Sequence, residues 1–70
     1  MKPDIRKKLA ENIKKIRQSK NMTQGDVCRL TGMDRAYISS LEAGKRNPTI
    51  VNIEKIALAL GVEVSEILHC

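Results

Sequence analysis

The chain contains no tryptophan and no phenylalanine, and Tyr37 is its only aromatic residue. A core without large rings must be filled by Ile, Leu, Val and Met. These recur at helical spacing, which suits a small helical bundle. Cysteine is scarce too, with Cys28 in an expected interior and Cys70 at the far end. Two distant thiols and the single His69 offer no four-ligand spacing, so neither a metal nor a cofactor is expected. The cysteines read as one buried small residue and one incidental thiol. No Ser–His–acid set and no phosphate-binding glycine loop is present, which argues against an enzyme. No apolar run could cross a bilayer, and charges stand where a signal peptide needs an apolar core. The expectation is a cytoplasmic protein with no membrane partner and no evident small-molecule ligand. Repeats, linkers and low-complexity segments are absent as well, so residues 1–70 are expected to form one domain with one small core. A core of that size is marginal, and a partner subunit would help to stabilise it.

What is present is charge, unevenly spread. The net charge is +5, and residues 1–20 hold eight of the thirteen Lys and Arg against Asp4 and Glu11. Residues 48–70 hold Lys55 alone against Glu54, Glu63 and Glu66. A polyanionic partner at the basic end follows naturally, the alternative being a merely solvated helix face.

Apolar periodicity and capping residues predict five helices. The first runs from about Asp4 to Lys20, with Ile5, Leu9, Ile13 and Ile16 on one stripe and Asn21 as its stop. The second begins at Thr23, whose hydroxyl can cap the amide of Asp26, and finishes at Gly32. The third starts after Asp34, also a suitable N-cap, and ends at Gly44. The fourth lies between Pro48–Thr49 and Gly61, and a short fifth covers about Val64 to His69. Helices 2 and 3 carry the most informative pattern. Val27, Cys28 and Thr31 share one spacing, Gly32 supplies a left-handed turn, and Ile38 with Leu41 form the inward pair of the next helix. Two short helices crossing steeply around such a turn read as a DNA-binding helix-turn-helix spanning about residues 23–44.

Helix 4 shows a surplus of apolar residues. Ile53, Ile56, Ala57 and Leu60 occupy one sector of roughly 120°, and Val51 and Leu58 fall together on nearly the opposite side. The last helix adds Val64, Ile67 and Leu68, more than closing a core requires. Val51, Leu58, Val64, Ile67 and Leu68 are therefore expected to form a dimer interface within residues 49–70. The alternative is scattered surface aliphatics and a last helix that only closes the core.

The run MTQGDVCRLTGMDRAYISSLEAGKRNPTIVNIEKIALALGV resembles the Cro/repressor-type helix-turn-helix family, the XRE family, and the likeness extends over roughly residues 8–68. Within it, the segment DRAYISSLEAGKRNPT is most similar to controller proteins of restriction–modification systems. The resemblance implies an all-α, five-helix, lambda-repressor-like domain, a twofold dimer, and regulation of transcription through operator DNA. Helix 3 would enter the major groove with Arg35, Ala36, Ser39 and Ser40 outward as base-contacting residues. A guanidinium can bridge O6 and N7 of guanine, so Arg35 is the expected reader, with a phosphate contact as its other role. The two serines discriminate poorly, which leaves part of the specificity to DNA shape. Phosphate contacts are expected from Gln24, Tyr37, Lys45, Arg46, Asn47 and Thr49, although the Tyr37 ring can also simply pack on the helix shoulder. In the family the glutamine at the Gln24 position contacts the DNA backbone and supports helix 3. Likewise, a helix-1 arginine pairs with a glutamate near the end of helix 3, and Arg17 and Glu42 match those positions. Two separately solvated charges are the alternative there. Glu63 departs from the Ser or Thr common before the last helix, which weakens that cap.

One short helix reads about three or four bases, so two copies about 34 Å apart on a near-palindromic operator are expected. The leading function is a homodimeric, sequence-specific transcriptional regulator, the controller of a restriction–modification operon. The alternative is an antitoxin-like module that binds a protein partner and autoregulates its operon. RNA polymerase becomes a partner if regulation is by activation, and no residue identifies a surface for it.

Overall fold

In the computed structural model, which describes residues 4–68, helix α1 (Ile5–Ser19) starts where the Asp4 carboxylate accepts the amide of Arg6 at 3.0 Å. Leu9, Ala10, Ile13 and Arg17 fall on one side of it and are buried. The lysines Lys7, Lys14 and Lys15 face out. Asn21 ends the run in a left-handed conformation (φ 58°), which asparagine tolerates better than other side chains. Ile5 departs from the expected stripe and stays exposed, since the stripe runs one turn past the point where neighbouring helices cover it.

Helix α2 (Gln24–Thr31) opens on a reciprocal cap. The Thr23 hydroxyl accepts from the Asp26 amide at 3.0 Å, and the Asp26 carboxylate accepts from the Thr23 amide at 2.9 Å. The latter bond, with help from the Thr23 hydroxyl and Arg29, holds the Asp26 carboxyl below the usual aspartate range. At the other end Gly32 turns the chain at φ 76°, and a Cβ there would meet nothing within 4 Å. Backbone conformation, and not crowding, therefore demands glycine at this joint.

Helix α3 (Arg35–Glu42) follows after three residues, with Asp34 in the N-cap position. The start falls where Asp34 placed it, although the Asp34 side chain accepts no hydrogen bond from the helix amides. Its backbone conformation suits the site, and the carboxylate stays in solvent. Helix α4 (Ile50–Leu60) begins where the Thr49 hydroxyl accepts from the Asn52 amide at 3.2 Å. Helix α5 (Val64–Leu68) closes the chain; its expected end at His69 lies outside the described residues. The Glu66 carboxylate accepts the Glu63 amide at 2.8 Å and serves the end that Glu63 leaves uncapped.

No strand occurs among the described residues. Helix α1 packs on α3 and α5, α2 packs on α3 and α4, and α4 packs on α5. Leu9, Ile13, Val27, Ile38, Leu41, Ile53, Ile56, Ala57, Leu60 and Ile67 form the shared aliphatic core. Cys28 is half-buried against it, less enclosed than an interior position would be. A side-chain bond from Asn12 Nδ2 to the Ile67 carbonyl, at 2.8 Å, ties α5 to the middle of α1.

Candidate nucleic-acid interface

Helix α3 is divided lengthwise by burial. Ile38 and Leu41 are fully enclosed, whereas Arg35, Ala36 and Ser39 are exposed on the opposite side and Ser40 is half-buried. Burying Ile38 and Leu41 contributes roughly 1.5–3 kcal/mol each, so the outward residues are held by their inward neighbours. The Lys45 amide donates to the Ser40 carbonyl at 3.0 Å and Gly44 turns left-handed (φ 77°), which ends α3 and launches the loop.

A polar cluster fixes α3 from behind. Arg17 Nε donates to Glu42 Oε2 at 2.7 Å and its Nη2 donates to Oε1 at 3.0 Å, a two-pronged pairing. Its remaining Nη1 donates to the Met22 carbonyl at 2.7 Å. Gln24 Nε2 adds a third bond to the carboxylate, reaching Glu42 Oε1 at 3.1 Å. Residues of α1, α2 and α3 therefore meet on one carboxylate. Side-chain exposure is 11% for Arg17 and 4% for Glu42, so these are not two solvated charges. The bond to Glu42 raises the Arg17 pKa further above its ordinary value. Only a planar fork can satisfy both carboxylate oxygens and a carbonyl together, which lysine could not do.

The five arginines have different fates. Arg17 serves Glu42, Arg6 pairs with Asp4, Arg29 pairs with Asp26, and Arg46 lies over the Tyr37 ring, 5.5 Å from its centroid. Among the described residues Arg35 alone of the five has no side-chain partner, and it stands exposed at the head of α3. A strongly hydrogen-bonding group left unpaired at the start of an outward helix face is poised for an external acceptor.

The loop that follows α3 is polar. Lys45, Arg46, Asn47 and Thr49 are exposed in the loop between α3 and α4. The Tyr37 ring packs against the core, so the helix-shoulder reading holds for the ring, while the hydroxyl accepts from Asn52 Nδ2 at 3.2 Å. Gln24, at the first turn of α2, keeps a second amide proton beyond the one given to Glu42. Asn52 was not among the expected site residues. Its polar side chain on the flank of α4, next to the buried Ile56, was the available signal.

The expected dimer residues divide. Val51, Leu58 and Leu68 are exposed, with Leu58 at 77%. Val64 is half-buried against the core. Ile67 must be removed from the set: it is 0% exposed, because α5 turns it into the contact with α1 and α4. Two exposed aliphatics were not anticipated, Ile50 and Leu30. Leu30 and Thr31 of α2 line a shallow depression with Lys55, Leu58 and Ala59 of α4. Among the described residues no group of His, Cys, Asp and Glu could hold a metal, and no helix is long and apolar enough to cross a membrane.

The helix-turn-helix family model matches residues 13–67, most of the chain, including the Arg17–Glu42–Gln24 cluster, α3 and the loop that follows it. The chain belongs to the helix-turn-helix family. Among this helix-turn-helix protein's relatives is the control protein C.MunI of a Mycoplasma species, 40% identical over 65 residues, covering 91% of this chain and 88% of that one. The control protein C.BamHI of Bacillus amyloliquefaciens is 41% identical over 66 residues, covering 93% and 82%. Among solved structures, the restriction–modification controller protein C.Esp1396I, a tetramer in complex with its natural 35-base-pair operator, superposes with a TM-score of 0.82. It is 37% identical and covers 96% of this helix-turn-helix chain and 99% of its own.

Proposed function

We propose that this protein is a homodimeric, sequence-specific transcriptional regulator that binds a near-palindromic operator and controls a restriction–modification operon. One observation carries the reading: an unpaired, exposed Arg35 at the head of a helix whose inner face is fully buried and whose end is pinned by Glu42. A rigid helix with a free guanidinium at its tip fits the major groove, the only groove that admits a helix and distinguishes all four base pairs. Arg35, Ala36, Ser39 and Ser40 would meet base edges. Gln24, Tyr37, Lys45, Arg46, Asn47 and Thr49 would hold phosphates on either side and set the register. Relatives that are control proteins, one of them solved on its operator, support the same assignment.

A second copy doubles the sequence read. The exposed Val51, Leu58 and Leu68, with Leu30 beside Leu58, offer apolar surface for it. The protein then acts by occupancy in the cytoplasm and needs no catalytic group. Nothing in the fold or among these relatives favours the antitoxin-like alternative. Selection of duplexes from a randomised pool tests the proposal. The wild type should enrich a near-palindrome with half-sites about one helical turn apart. Arg35→Ala should lose discrimination at one base pair of each half-site, by roughly 1–3 kcal/mol, while keeping its fold. Failure to enrich any sequence would overturn the proposal, and unchanged discrimination would remove Arg35 from base reading.

A further inference from the structure

We propose that Asn52 is a positioning residue that makes the Tyr37 hydroxyl an obligatory donor toward a DNA phosphate; this rests on the phosphate contact assigned to Tyr37 above. The side-chain amide nitrogen of Asn52 lies 3.2 Å from the Tyr37 oxygen. An amide NH2 group only donates, so the phenolic oxygen accepts, and its own proton must point elsewhere. Among the described residues no protein group takes that proton. A phosphodiester oxygen only accepts. The sequence Asn52 N–H to Tyr37 O–H to phosphate therefore has every donor and acceptor matched, and each bond polarises the next.

The surroundings fix the alignment. The Tyr37 ring is packed against the core on one side and has the Arg46 guanidinium above it, 5.5 Å from the centroid. Asn52 is the third residue of α4, and its backbone amide is bonded to the Thr49 hydroxyl at 3.2 Å. Thr49, Asn52, Tyr37 and Arg46 thus form one unit in which the helix start sets the amide, the amide sets the hydroxyl, and the hydroxyl faces the backbone of the duplex.

Substitutions at Asn52 leave the helix intact. The Thr49 bond uses the backbone of residue 52 whatever its side chain, alanine is the best helix former, and aspartate suits a helix N-terminus. Affinity for a mixed-sequence DNA duplex at low ionic strength is the readout, because phosphate contacts are sequence-independent. Tyr37→Phe should weaken binding about 3- to 10-fold per protomer. Asn52→Ala should weaken it by a smaller factor when Tyr37 is present, and by nothing in the Tyr37→Phe background. Asn52→Asp should weaken it most. Its carboxylate captures the phenolic proton, and this excess, beyond simple charge repulsion, should vanish once the hydroxyl is gone. Losses of equal size in both backgrounds would overturn the role of Asn52 and leave the Tyr37 contact standing. No loss from Tyr37→Phe itself would overturn the contact and the inference together. A DNA-free measurement stands beside these: Tyr37 is the only tyrosine, so the tyrosine doublet in the Raman spectrum reports its hydroxyl alone. The wild-type intensity ratio should indicate an accepting oxygen, and Asn52→Ala should change it; an unchanged ratio would refute the proposal.

Discussion

Replacing Glu42 with alanine should remove a large part of this protein's stability, although Glu42 lies outside the aliphatic core. Its carboxylate receives Arg17 Nε and Nη2 at 2.7 and 3.0 Å and Gln24 Nε2 at 3.1 Å. With the carboxylate gone, the guanidinium of Arg17 keeps only the Met22 carbonyl, at 11% side-chain exposure. An uncompensated buried charge costs about 3–5 kcal/mol. A chain of this size has roughly 4–10 kcal/mol of stability in all. At about 4–8 °C per kcal/mol for a domain this small, a loss of 3 kcal/mol lowers the Tm by roughly 12–24 °C. Thermal melts followed by helical circular dichroism read this directly. The control is the double variant Arg17→Met with Glu42→Leu, which removes both charges. It should recover most of the loss, because an apolar pair of similar volume replaces a buried ion pair at little cost. If Glu42→Ala costs less than about 1 kcal/mol, the pair behaves as a surface pair, and the claim that it pins α3 fails.

Two further outcomes follow from the geometry. Leu58→Glu places a charge on the exposed apolar surface proposed for dimerisation, and sedimentation should find a folded monomer for the variant and a dimer for the wild type; a dimer that persists in the variant would place the interface elsewhere. The Asp26 carboxyl titrates below its ordinary range in the fold, so the unfolded chain binds the proton first as pH drops. Its contribution is complete at neutrality, starts to fade around the ordinary aspartate range, and is lost as pH falls through the depressed folded value. The Tm difference between wild type and Asp26→Asn should therefore shrink on acidification, and a constant difference would deny the cap its role.

The helices were legible because their signals are local. Thr23 and Gly32 bracket α2 as its two caps, and the apolar spacing of α4 named its core residues Ile53, Ile56, Ala57 and Leu60. Arg17 and Glu42 came from family resemblance, since residues 25 apart carry no local sign of pairing. Asn52 and Tyr37 meet only once the loop between α3 and α4 brings the start of α4 back to Tyr37, so neither periodicity nor spacing could propose them as a pair. Ile67 was misplaced for a geometric reason. A five-residue helix has barely one turn, and the adjacent Ile67 and Leu68 cannot be assigned to inner or outer faces until α5 is docked. Asp34 stands in the N-cap position its residue type suggested, but residue type does not decide whether the side chain turns inward to bond the helix amides.

Helix α1 is fastened twice along its length, by Arg17 to Glu42 of α3 and by Asn12 to the carbonyl of Ile67 in α5. It thereby serves as a strut between α3, proposed to read sequence, and the C-terminal helices, proposed to meet a second copy. A strut does not stretch. In the proposed dimer the spacing of the two α3 helices would then be set by the protein, and an operator of another spacing would have to bend or twist to fit it.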